Sequence, residues 1–160
     1  MSPTSAPTKP AERTLVIQRT VNAPRDLVWE TWSDSEQAKQ WWGPNGFTAP
    51  LVEMDQRPGG KWRALMHSPD GKDMWQHGVY REIVAPEKVS FTFIWDQEPE
   101  HEMFVTITFS ERGKKTEMVF RQDGLRSAEE RKEHEGGWSE SFDRFAAYLK
   151  SAGGSRNARG

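Results

Sequence analysis

The chain has 160 residues with 22 Lys+Arg against 24 Asp+Glu, a formal net charge of −2, and no cysteine. That length fits one domain burying roughly 70% of its unfolded surface, while the missing thiols exclude disulfides, thiolate metal sites and cysteine nucleophiles. A near-zero charge without a Lys/Arg cluster also excludes a general nucleic-acid binder, which must neutralise phosphates.

Residues 1–13, MSPTSAPTKPAER, are small, polar and proline-rich, and read as a disordered tail with no secretory h-region. No apolar run approaches the roughly 18 residues of a membrane span, so the expected setting is cytoplasmic. From Thr14 to Asn22 the pattern alternates, with Leu15, Ile17 and Val21 on one face, and predicts a strand ending at Ala23-Pro24. A helix follows Pro24, with Leu27, Val28, Thr31 and Trp32 at helical spacing and Trp29 on the same side as Trp32. Asp34 or Ser35 restarts a second short helix, which runs through Trp41 and stops at Gly43-Pro44.

From Phe47 onward the sequence predicts six strands separated by turn residues, at Pro58-Gly59-Gly60, Ser68 to Gly71, Ala85 to Glu87, Gln97 to Pro99 and Arg112 to Lys114. Connections this short make an antiparallel meander. The clearest alternation is Lys88 to Trp95, which turns Val89, Phe91, Phe93 and Trp95 inward. The strand Met74 to Ile83 is ambiguous, because Trp75, His77, Val79 and Ile83 compete with Gly78 and Tyr80 for the core; a bulge could reconcile them. A last helix opens with a capping box, Ser127 to Glu130. Its first turns are polar all round, which places His134 in solvent, and Gly136-Gly137 offers a kink. Trp138, Phe142, Phe145 and Leu149 then form one apolar stripe. Residues 151–160, SAGGSRNARG, read as a flexible tail, leaving one domain over 14–150.

Strand, two short helices, six strands and a long helix is an α+β order, solved by a curved antiparallel sheet of about seven strands with the helix lying across it. Eight Trp beside two Tyr are either core mass or the walls of a pocket between sheet and helix, and composition leaves both open. Trp41-Trp42 is likewise a plug or a pocket wall.

Five strings, RTVNAPRDLVWETWSDSEQAKQWWGP at 19–44, RPGGKWR at 57–63, SPDG at 68–71, GVYREIVAPEKVSFTF at 78–93 and GGWSESFDRFAAYL at 136–149, stand in one order. In these the sequence resembles the SRPBCC (START/birch-pollen-allergen-like, helix-grip) superfamily, in its heat shock protein 90 ATPase activator homologue-like branch. The resemblance implies a helix-grip fold whose cavity, in many relatives, holds an apolar or amphipathic small molecule. Relatives also include co-chaperones, which implies a chaperone or other protein partner as an alternative, and a link to stress response; polyketide-related enzymes make a cyclase- or hydrolase-like activity in the same cavity a second one.

Four histidines, His67, His77, His101 and His134, show no metal-ligand spacing, and no metal or cofactor is expected. Gly137-Trp138-Ser139-Glu140-Ser141 lacks the last glycine of a nucleophile elbow and lies within a helix; Pro58-Gly59-Gly60-Lys61 fails the phosphate-loop spacing and is a hairpin turn. Glu53, Asp55 and Glu82 have no evident second carboxylate for acid–base work, and Asp55 can pair with Arg57. The expected ligand cavity is lined by Trp62, Met66, Trp75, Phe91, Phe93, Trp95, Phe120, Trp138 and Phe142, with His77 as its polar group and no catalytic residue assigned. The chain is expected as a monomer, or as a homodimer paired through open sheet edges.

Overall fold

A computed structural model describes residues 13–159, with side chains through Ser151. The elements are β1 (Thr14–Val21), α1 (Arg25–Ser33), α2 (Ser35–Trp41), β2 (Thr48–Met54), β3 (Lys61–His67), β4 (Asp73–Val84), β5 (Lys88–Trp95), β6 (Met103–Arg112), β7 (Lys115–Asp123) and α3 (Ala128–Arg159). The expected tails, 1–13 and 151–160, fall almost wholly outside the described side chains. Among the described residues, no helix is long and apolar enough to cross a membrane.

The seven strands form one antiparallel sheet in the order β1-β7-β6-β5-β4-β3-β2. Strands β2 to β7 are a meander because each connection is a short turn or loop, and β1 closes onto β7, pairing Thr14 with Asp123 through Val21 with Thr116. This is the helix-grip α+β arrangement. One face of the sheet is apolar and α3 lies on it, burying Trp138, Phe142, Phe145 and Leu149, the stripe that recurs at helical spacing. The two short helices fill one end: α2 is capped by the Asp34 carboxylate, which accepts the Glu36 N–H at 2.9 Å, and its Trp41 packs on Phe145 with ring centroids 4.8 Å apart. Trp29 and Trp32 share a side, both meeting Phe109, at 5.4 Å and 6.4 Å.

The ambiguous strand β4 resolves by a close approach. Trp62 stands opposite Gly78 across β3 and β4, and its indole N–H donates to the Thr92 carbonyl at 3.0 Å. A Cβ at Gly78 would sit 2.5 Å from that indole nitrogen and 1.8 Å from the Thr92 oxygen, so only glycine fits. Gln76, Gly78 and Tyr80 are therefore buried, and Trp75, His77 and Val79 take the opposite face. The pairing with β5 shifts by one residue between Tyr80 and Glu82. This bulge swaps the inward phase and lets Ile83 reach the core. The expected bulge is present, but it lies beyond Trp75 and His77 and brings neither inward.

At the start of α3, Ser127 Oγ accepts the Glu130 N–H at 3.1 Å, half of the expected capping box. The returning bond goes one residue further back, from the Arg126 N–H to Glu130 Oε1 at 2.8 Å. The helix is continuous through Gly136-Gly137.

Candidate ligand-binding cavity

The apolar interior is not filled throughout. A cavity of about 490 Å³ opens between the first half of α3, the inner face of β3 to β5 and the loop after α2, within the size range of small-molecule sites. Its deep wall is made by Trp42, Met66, Phe93 and Trp138, all under a tenth exposed, together with Met74 and Gln76. Trp95 and His134 stand nearer the opening, and Glu98, Arg126, Glu130 and Glu133 form its rim.

Two segments that are far apart in sequence build this wall by interlocking. Ser141 Oγ on α3 accepts the Gly43 N–H at 3.2 Å and donates to the Trp41 carbonyl at 3.2 Å. Arg144 donates to the carbonyls of Gly43 and Pro44 at 2.8 Å and 2.9 Å, and the Asn45 N–H donates to Glu140 at 3.0 Å. The loop polar groups are thus satisfied by one helix face. Gly43 has φ +100°, and an added Cβ would sit 3.0 Å from Met66 Sδ, so glycine serves both the turn and the cavity wall. The Trp42 indole is fixed by donating to Gln76 Oε1 at 2.8 Å and by Trp62 and Trp138, at 5.6 Å and 5.7 Å.

The rim is electrostatic. Arg126 donates to Glu98 at 2.9 Å and to Glu130 at 2.7 Å, and His101 Nε2 meets Glu130 Oε1 at 3.1 Å. Burial pushes the Glu130 carboxyl up, but hydrogen bonds from the Arg126 guanidinium, the Arg126 N–H and His101 outweigh it and hold the group down at about 2. The Trp95 indole N–H donates to His134 Nε2 at 3.3 Å, which requires that nitrogen to be unprotonated; burial lowers the His134 pKa in the same sense. These bonds tie the loop after β5 to the head of α3.

Four expected lining residues, Met66, Phe93, Trp95 and Trp138, line this cavity. Trp62 and Phe91 lie behind Trp42 where no room for a water remains, and Phe120 and Phe142 pack against Trp138 and each other as core. The expectation that Trp75 and His77 look into the cavity is corrected. Trp75 stacks under the Arg63 guanidinium, 5.1 Å from the ring centroid, and His77 pairs with Asp96 at 2.5 Å on the outer face. The expected solvation of His134 is corrected too, since it packs against Phe93 and Trp95. The Trp41-Trp42 pair divides, Trp41 acting as plug and Trp42 as wall. Asp55 does pair with Arg57, at 2.9 Å, and Glu53 and Glu82 pair with Arg63 and Lys88, at 2.7 Å and 2.9 Å.

The residues that sequence reasoning missed, Gln76 and the rim group, carried a readable sign only on the helix. Stepping back by four from Trp138 reaches His134 and then Glu130, so the stripe continues on the same face although its residues turn polar.

Comparison with solved structures places this architecture among known ones. The AHSA1 protein from Silicibacter pomeroyi is 26% identical with a TM-score of 0.79, covering 87% of this chain and 99% of that one. A protein from Chromobacterium violaceum is 25% identical at 0.79, covering 86% and 96%. The AHSA1-like protein from Aeromonas hydrophila, 20% identical at 0.74 and covering 88% and 94%, shares the fold. Comparison with curated proteins gave no match. Residues 22–150 match the family described as Activator of Hsp90 ATPase homolog 1-like protein. With that match across both interlocking segments and the sheet between them, the chain belongs to the AHSA1-like family of the SRPBCC superfamily.

Proposed function

We propose that the protein binds a small hydrophobic or amphipathic molecule between its sheet and α3, as a binding protein and not as an enzyme. The observation that carries this reading is the cavity of about 490 Å³ walled by Trp42, Phe93, Trp95, Trp138 and two methionines. Aromatic faces give large apolar contact with little conformational freedom to lose, and methionine adapts to ligand shape. Leaving such walls against water forgoes burial worth roughly 25 cal/mol per Å², which a ligand recovers. Native mass spectrometry of the purified protein, before and after solvent extraction, tests it. A discrete adduct that extraction removes is expected; a bare mass that stays bare in the presence of naphthalene-sized hydrocarbons would count against it.

A second reading, a co-chaperone-like interaction module, draws on the family description alone. Stimulation of heat shock protein 90 ATPase by the purified chain would support it, and no stimulation at saturating concentration would set it aside.

A further inference from the structure

Gln76 lies mid-way along β4 on the inward face, 2% exposed, and it lines the cavity. An indole N–H can only donate, so the bond from Trp42 Nε1 at 2.8 Å fixes which end of the Gln76 amide is oxygen. The NH₂ end must point elsewhere. It makes no hydrogen bond to a described residue and is not among the polar atoms sealed within the core, so the space it opens on is the cavity. The other polar atoms of the deep wall are occupied: Ser141 Oγ both accepts and donates, and the Trp42 N–H is spent on Gln76. Among the described residues, two oriented N–H donors therefore stand without a partner in an aromatic pocket.

We propose that Gln76 is the polar anchor of the cavity, and that the ligand is an uncharged molecule with an aromatic body and a carbonyl oxygen that accepts from Gln76 Nε2. This inference rests on the cavity reading above and sharpens it. A ligand with no acceptor would strip water from the amide and leave its donors unpaired. A carboxylate would instead meet a rim whose described residues set Glu98, Glu130 and Glu133 against Arg126, which Glu98 and Glu130 already engage. Electrostatics thus selects a neutral acceptor over an anionic one.

Three probes of one shape separate the possibilities by isothermal titration calorimetry on the full chain: 2-acetylnaphthalene, 2-isopropylnaphthalene and 2-naphthoate. The ketone is expected to bind about tenfold tighter than the hydrocarbon, and the carboxylate weakest. In Gln76→Met the ketone advantage is expected to fall below about twofold while hydrocarbon binding persists. Because this variant also removes the Trp42 acceptor, the wild-type Gln76 side-chain amide resonances give an independent readout, shifting with the ketone and not with the hydrocarbon. Equal binding of ketone and hydrocarbon overturns the anchor and leaves the cavity reading intact. Tightest binding by naphthoate overturns the uncharged class. Binding by none of the three overturns the anchor and the cavity reading together.

Discussion

The two ends of the aromatic interior use the same residue types and end up differently. At one end Trp32, Trp41, Phe142 and Phe145 interlock with centroids 4.8 to 6.3 Å apart and are sealed by α1 and α2. At the other, Trp42, Phe93, Trp95 and Trp138 surround open space under the first half of α3. What differs is the covering layer. From Trp138 to Leu149, α3 presents apolar side chains to the sheet, whereas its head presents Glu130, His134 and Gly137, whose polarity or lack of a side chain leaves the space unfilled. Ring content alone does not distinguish a core from a pocket; the element lying opposite decides.

Breaking each end separately should show this. Phe145→Ala, at a fully buried position, is expected to cost about 3–5 kcal/mol in urea unfolding. Trp95→Ala at the opening should cost about 1–2 kcal/mol and lower the affinity for 2-isopropylnaphthalene at least about tenfold. Overfilling sharpens the contrast: Val28→Phe, at a fully buried site on α1, should lose about 1–3 kcal/mol to overpacking. Met74→Trp, which grows into the cavity, should stay within about 1 kcal/mol of the parent and abolish probe binding.

The rim gives smaller, pH-dependent effects. Glu130 titrates at about 2 in the fold against an ordinary 4.5, so its contribution is present above pH 4.5 and is lost as pH falls toward 2. Glu130→Gln should flatten the stability profile over that window. His134 has its pKa lowered below 6.5, chiefly by burial. The fold therefore holds fewer protons than the unfolded chain, and stability should decline as pH drops below 6.5. In His134→Gln, which keeps an acceptor for Trp95, that part of the decline should be reduced.

The fold was legible because period-two alternation and turn residues survive without tertiary context: Val89, Phe91, Phe93 and Trp95 point inward as their spacing demands. Strand β4 was not, because its inward face carries Gln76 and Gly78 and its outward face Trp75 and Val79, so hydrophobicity reads the wrong way round. The reason lies in Trp62, which fills the Gly78 gap from another strand, a relation that no local pattern encodes. The cavity was legible in its walls and not in its polar parts. Gln76 is marked by its bond to Trp42, 34 positions away, and the polar head of α3 looks like a solvated surface until the loop after β5 is seen bonded to it.

The most direct test of the hollow end is a ¹H–¹⁵N spectrum of the indole N–H groups during titration with 2-isopropylnaphthalene, the eight tryptophans being assigned by single Trp→Phe variants. The signals of Trp42, Trp95 and Trp138 are expected to move together to saturation while those of Trp32, Trp41 and Trp75 stay in place. Signals that do not move, or that all drift alike without saturating, would contradict it.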